Sequence, residues 1–144
     1  MADRWAAFAY GATAFEQGLR HVVDRSVRFQ AHANSTLQEV VDGKLALANL
    51  YCYKPSKAPA ESEILEAVAS AIDARPSPYD SHPSPAERFR LVHALQTNEA
   101  GQLAGAEQEA WDLFEDPAAI QSWMTDRICA SVAENHGVTI LRGT

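Results

Sequence analysis

Cysteine is nearly missing from this chain: Cys52 and Cys129 are the only two, with no CxxC and no family of spacings. That excludes a disulfide scaffold and a zinc knuckle, and points to a reducing compartment. Basic residues are scarce as well, twelve against nineteen acidic, for a net charge of −7, and no segment gathers Lys and Arg into a stripe. A phosphate backbone needs such a stripe, so the balance argues against nucleic acid as a partner. Long apolar runs are lacking too. Trp5 to Tyr10 falls far short of the roughly 20 residues that cross a bilayer, and no signal-peptide pattern opens the sequence, so the chain is expected to be soluble. Val and Ile together number 14 while Ala alone numbers 26, which favours helices over sheet. At 144 residues the length is that of one ordinary domain.

Punctuation along the chain yields an all-α expectation of about five helices with a Pro-rich extended connector, residues 1–144 forming a single helical domain. Thr13 and Glu16 have capping-box spacing, predicting that a long helix begins there. Phe15, Leu19, Val22, Val23, Leu37, Val40 and Val41 recur at helical spacing, with Asn34-Ser35-Thr36 marking a bend or split and Gly43 a stop. Leu45 to Tyr53 reads as irregular or briefly helical. Pro59, Glu61 and Glu63 start the next helix, whose apolar face is Ile64, Leu65, Val68 and Ile72, ending near Arg75.

Four prolines, at 76, 78, 83 and 85, then stiffen a connector through Tyr79, Asp80, Ser81 and His82. Ser84-Pro85-Ala86-Glu87 combines an N-cap hydroxyl, Pro at the first position and a capping-box Glu, predicting a helix from Pro85 to about Gln96. After a polar loop over residues 97–105, about two turns from Glu107 to Phe114 carry Trp111. Asp116-Pro117 starts a last helix with Ile120, Trp123, Met124, Ile128 and Val132 on one face, ending near His136. The last seven residues are expected to fray.

Chemistry is sparse. Five histidines fit no common metal template: HExxH and H-x3-H are absent, and His21 with Asp24 is a single exposed pair. Neither cysteine has an activating neighbour, and no serine lies in a G-x-S-x-G elbow. The connector carries more. His82 sits on stiff, non-helical backbone, and six residues later Arg88 falls on the first turn of a capped helix, on the stripe of Leu91, Val92 and Leu95. A guanidinium so directed needs a carboxylate or carbonyl partner. From the residues alone two roles stay open: His82 bonding the connector while Arg88 ties two helices together, or both supporting a reaction.

The stretch Ser81-His82-Pro83-Ser84-Pro85-Ala86-Glu87-Arg88, followed by an apolar helix, resembles the SHP-x-x-x-E-R signature in the C-terminal part of the HtpX and CAAX prenyl protease family of membrane zinc metallopeptidases. Ala2-Asp3-Arg4-Trp5-Ala6-Ala7 with Tyr10-Gly11 resembles the end of that family's ExxxD helix and the small-residue turn after it. The resemblance spans roughly residues 2 to 95, and the HP…ER segment is its specific part.

It implies a cytoplasm-facing, soluble C-terminal part of a membrane-anchored zinc metalloendopeptidase. HExxH, which supplies two zinc ligands and the general base, is absent, and the Glu of ExxxD would fall before Met1. This chain would hold no metal ligand, zinc would belong to the parent enzyme, and the chain alone would not cleave peptides. By the same resemblance, His82 would donate to the oxyanion formed on the peptide carbonyl. Arg88 would position a nearby carboxylate or the substrate backbone, and Asp3 would orient a zinc-ligating histidine. The implied partners are the catalytic, membrane-spanning part of the parent and a protein or peptide substrate, with self-association through an exposed docking face. A different class, a non-catalytic interaction or dimerisation module with a groove of Trp111, Trp123 and Met124, rests on the aromatic spacing.

Overall fold

The computed structural model describes residues 2–75, 83–95, 97 and 109–143. Pro76, Pro78, Tyr79, Asp80, Ser81 and His82 of the connector, Gln96, and residues 98–108, Glu107 among them, lie outside the described residues. The fold is all-α. Its helices are α1 (Ala2–Tyr10), α2 (Ala12–Asp42), α3 (Glu61–Ile72), α4 (Pro85–His93) and α5 (Pro117–His136). A 3₁₀ turn spans Ala110–Leu113, and two short strands, β1 (Ala46–Leu47) and β2 (Leu141–Arg142), pair in parallel. Among the described residues no helix is long and apolar enough to cross a membrane. The chain packs as two compact units, Met1–Phe29 with Ala60–Ala106 and Gln30–Pro59 with Glu107–Thr144.

In the first unit, Gly11 takes a left-handed φ of 92° between α1 and α2, a conformation open to glycine without a Cβ clash. Its N–H still bonds the Ala7 carbonyl (2.9 Å), and its own carbonyl accepts from Phe15 N (3.2 Å). The helix therefore restarts at Ala12, and the capping box at Thr13 does not form. Glu16 instead meets Arg20 and His93 at 2.7 Å each. Ala7, Ala12 and Val92 make the buried core, with Phe15 and Leu95 against it; the alanines admit close helix approach. α3 starts with Glu63 accepting from Ala60 N (3.0 Å). It buries Ile64 and Ile72, while Leu65, placed on that face by periodicity, is 54% exposed. Arg28 grips Asp24 and, through two bonds of 2.9 and 2.6 Å, Glu61, holding the start of α3 against α2.

In the second unit, α2 runs unbroken through Asn34-Ser35-Thr36. The helix is not split there: Asn34 bonds Gln30 on the outer face (2.9 Å) instead of competing for backbone. The stop after Asp42 falls where Gly43 placed it, yet the left-handed residue is Lys44, φ 50°. Lys44 N bonds Val41 O (3.2 Å) and Leu45 N bonds Val40 O (2.9 Å), the two bonds of a Schellman motif. Beyond it the irregular stretch contains β1. Ala33, Val40, Leu47, Leu50, Cys129 and Ile140 form the core.

The tail does not fray. Ile140 is buried, β2 pairs with β1, and Arg142 donates to Leu47 O, Ala48 O and Ser122 Oγ and pairs with Asp126 at 2.7 Å. The α5 face is rotated from its expected setting. Asp116 caps the helix through Ala119 N (2.9 Å). Thr125 is fully buried, donating to Gln121 O and accepting from Leu50 N, and that polar pivot turns Trp123 outward.

Candidate functional site

Arg88 occupies the fourth residue of α4, and the cap that fixes it is the one the sequence announced. Ser84 Oγ accepts from Glu87 N (3.3 Å), Pro85 fills the first position, and Arg88 N bonds Ser84 O (2.9 Å). α4 ends at His93, three residues earlier than expected, where Leu95 N turns back to Val92 O (3.1 Å). Phe89 and Val92 face the core, so Arg88 lies along its edge.

There the Arg88 guanidinium meets the Asp3 carboxylate: Nε donates to Oδ2 and Nη2 to Oδ1, both at 2.7 Å. The two side chains are about a quarter to a third exposed. The planar fork against a carboxylate fixes orientation as well as charge. Asp3 pushes the Arg88 pKa up, chiefly through these hydrogen bonds and against the penalty of burial, so the guanidinium stays charged. The Phe15 ring lies with its centroid 5.6 Å from the Arg88 Cζ, within cation–π range. A cavity of about 710 Å³ opens beside the pair, lined by Arg4, Pro83, Leu91 and Leu95 among others.

A second polar group flanks the first. His93 Nε2 lies 2.7 Å from Glu16, which also accepts from Arg20, and Arg20 stacks 4.7 Å over Phe89. Hydrogen bonds from Arg20 first and His93 second hold the Glu16 carboxyl below its ordinary value. The sequence analysis missed this group: Glu16 and Arg20 carry the i, i+4 spacing of a helical ion pair, but the reach to His93 joins distant parts of the sequence.

Asp3 and Arg88, singled out separately, are thus brought together, and His82 lies outside the described residues. No protein-family model, curated protein or solved structure matches this chain. Among the described residues no three His, Cys, Asp or Glu side chains converge as metal donors, and Asp24, paired in sequence with His21, is taken by Arg28. These residues do not fit a zinc ion by themselves. Of the aromatic groove, Trp111 packs edge-on to Tyr51 at 5.8 Å and Met124 Sδ accepts from the Tyr51 hydroxyl at 3.4 Å, whereas Trp123 is 62% exposed and does not join them. Cys129 is buried, which pushes its thiol pKa up, the opposite of nucleophile activation.

Proposed function

We propose that this chain is the C-terminal helical part of a membrane-anchored zinc metalloendopeptidase, with Asp3 and Arg88 forming a supporting pair for a catalytic centre held elsewhere in the parent protein. The observation that carries this reading is the bidentate Arg88–Asp3 pair: the two positions singled out by the resemblance meet across most of its span.

Arg88 fixes the plane of the Asp3 carboxylate through its two parallel bonds. A carboxylate offers about four lone-pair directions, so one held by Arg88 can also accept an imidazole N–H, which is how an outer carboxylate sets the tautomer and orientation of a metal-bound histidine. His82, assigned from the sequence alone, has the donor chemistry for an oxyanion. The attack of water on the peptide bond belongs to the HExxH segment, which this chain lacks, so isolated residues 1–144 should not cleave peptides. The native coding sequence upstream of Met1 tests the assignment: an HExxH, followed by a Glu four residues before Asp3, is expected. A start codon at Met1 with neither motif would overturn it.

The second reading, a non-catalytic helical interaction or dimerisation module, is favoured by the exposure of Leu113 and Trp123.

A further inference from the structure

The 3₁₀ turn Ala110–Leu113 buries none of its residues. Leu113 is 80% exposed and Phe114 47%. Glu109, Asp112, Glu115 and Asp116 flank them, all exposed. Asp116 is spent on capping α5; among the described residues none of the other three forms an ion pair. The turn is nonetheless fixed from below. Trp111 packs edge-on to Tyr51 and lies 6.0 Å from Phe114, and Tyr51 is held through its N–H by Asn49 (2.9 Å) and through its hydroxyl by Met124. Two adjacent apolar side chains are therefore presented on an anchored base, with exposed carboxylates on either side of them along the chain.

We infer that this turn is an interaction surface for a basic amphipathic helix of another protein. Such a helix carries an apolar stripe that covers Leu113 and Phe114 and places Lys or Arg one turn to either side, opposite Glu109, Asp112 and Glu115. The chain's net charge of −7 steers a basic partner toward it. A second copy of this chain is disfavoured, because the same carboxylates would face each other across the contact.

Titration calorimetry of the 144-residue chain with a Leu/Lys amphipathic peptide of about 18 residues, five helical turns, tests this, with the Leu/Glu analogue as control. One-to-one binding of the Lys peptide and none of the Glu peptide is expected. Leu113→Ala, and separately Glu109→Gln with Asp112→Asn, should each weaken binding about tenfold, with the melting temperature of Leu113→Ala unchanged. Absence of binding, or binding that Leu113→Ala leaves unchanged, would overturn the inference, the latter marking general attraction to an acidic chain. Self-association of the chain alone that Leu113→Ala abolishes would also overturn it, making a second copy the occupant.

Discussion

Arg88 and Asp3, 85 positions apart in the sequence, share two parallel 2.7 Å hydrogen bonds. This pair locks the first turn of α4 to the first turn of α1. With both partners only partly exposed, Arg88→Ala leaves a half-buried carboxylate without its fork, and the expected loss is about 1–3 kcal/mol of folding stability. Arg88→Lys keeps the charge without the fork and should lose about half as much. Urea denaturation of both variants measures the difference.

Helix ends make a paired prediction. Lys44 holds the left-handed position that closes α2, and Gly137 holds the same position after α5, φ 67°. Lys44→Gly removes a Cβ from that conformation and is expected to stabilise by about 0.5–1 kcal/mol. Gly137→Ala, with open space around its Cβ, should cost about 1 kcal/mol from backbone strain alone. Thermal melts of the two variants should shift in opposite directions.

Acid should loosen the second unit through Glu39. Its carboxylate accepts from the Ser56 hydroxyl and N–H and from the Tyr53 hydroxyl, which together hold its pKa below the ordinary 4.5. Depression in the folded state means the stabilisation is present above about pH 4.5 and is lost as pH falls through the folded value. Glu39→Gln should therefore show a shallower loss of stability between pH 5 and 3 than the wild type, read from denaturation at each pH. An unchanged slope would remove Glu39 from the account.

The tail is structural. Ile140→Ala should cost about 2–4 kcal/mol, since Ile140 completes the core with Leu47 and Leu50. Gly143 is also confined: its N–H bonds Leu47 O (3.1 Å), and an added Cβ would lie 2.9 Å from Ala48 N. Amide exchange at residues 140–143 should be slow in the wild type and fast in Ile140→Ala.

What could be read in the sequence was local. Ser84-Pro85 and Asp116-Pro117 each carry their own cap chemistry, so the starts of α4 and α5 came out at the right residues. Thr13 and Glu16 placed the start of the long helix to within one residue, at Ala12, although Gly11 rather than a capping box makes the turn there. Val138 to Arg142 looked like a fraying end because its partner, the Ala46–Leu47 strand, lies far away in sequence and is two residues long, too short for any period to register. At the site, the sequence showed that Arg88 required an acceptor, but the choice of Asp3 depended on tertiary packing. Phe15 beneath Arg88 and His93 beside Glu16 had no local signal. Trp123 was placed inward by apolar period; the buried Thr125 hydroxyl, bonded to Gln121 and Leu50, set the rotation instead.

The supporting-pair proposal is tested most directly by peptide hydrolysis with the protein translated from the complete native reading frame, comparing wild type with Arg88→Lys. Zinc-dependent cleavage by the wild type is expected, with kcat lowered about 10- to 100-fold in Arg88→Lys while its melting temperature moves by only a few degrees. A wild type that neither retains zinc nor cleaves peptide, or an Arg88→Lys variant of full activity, would contradict the account.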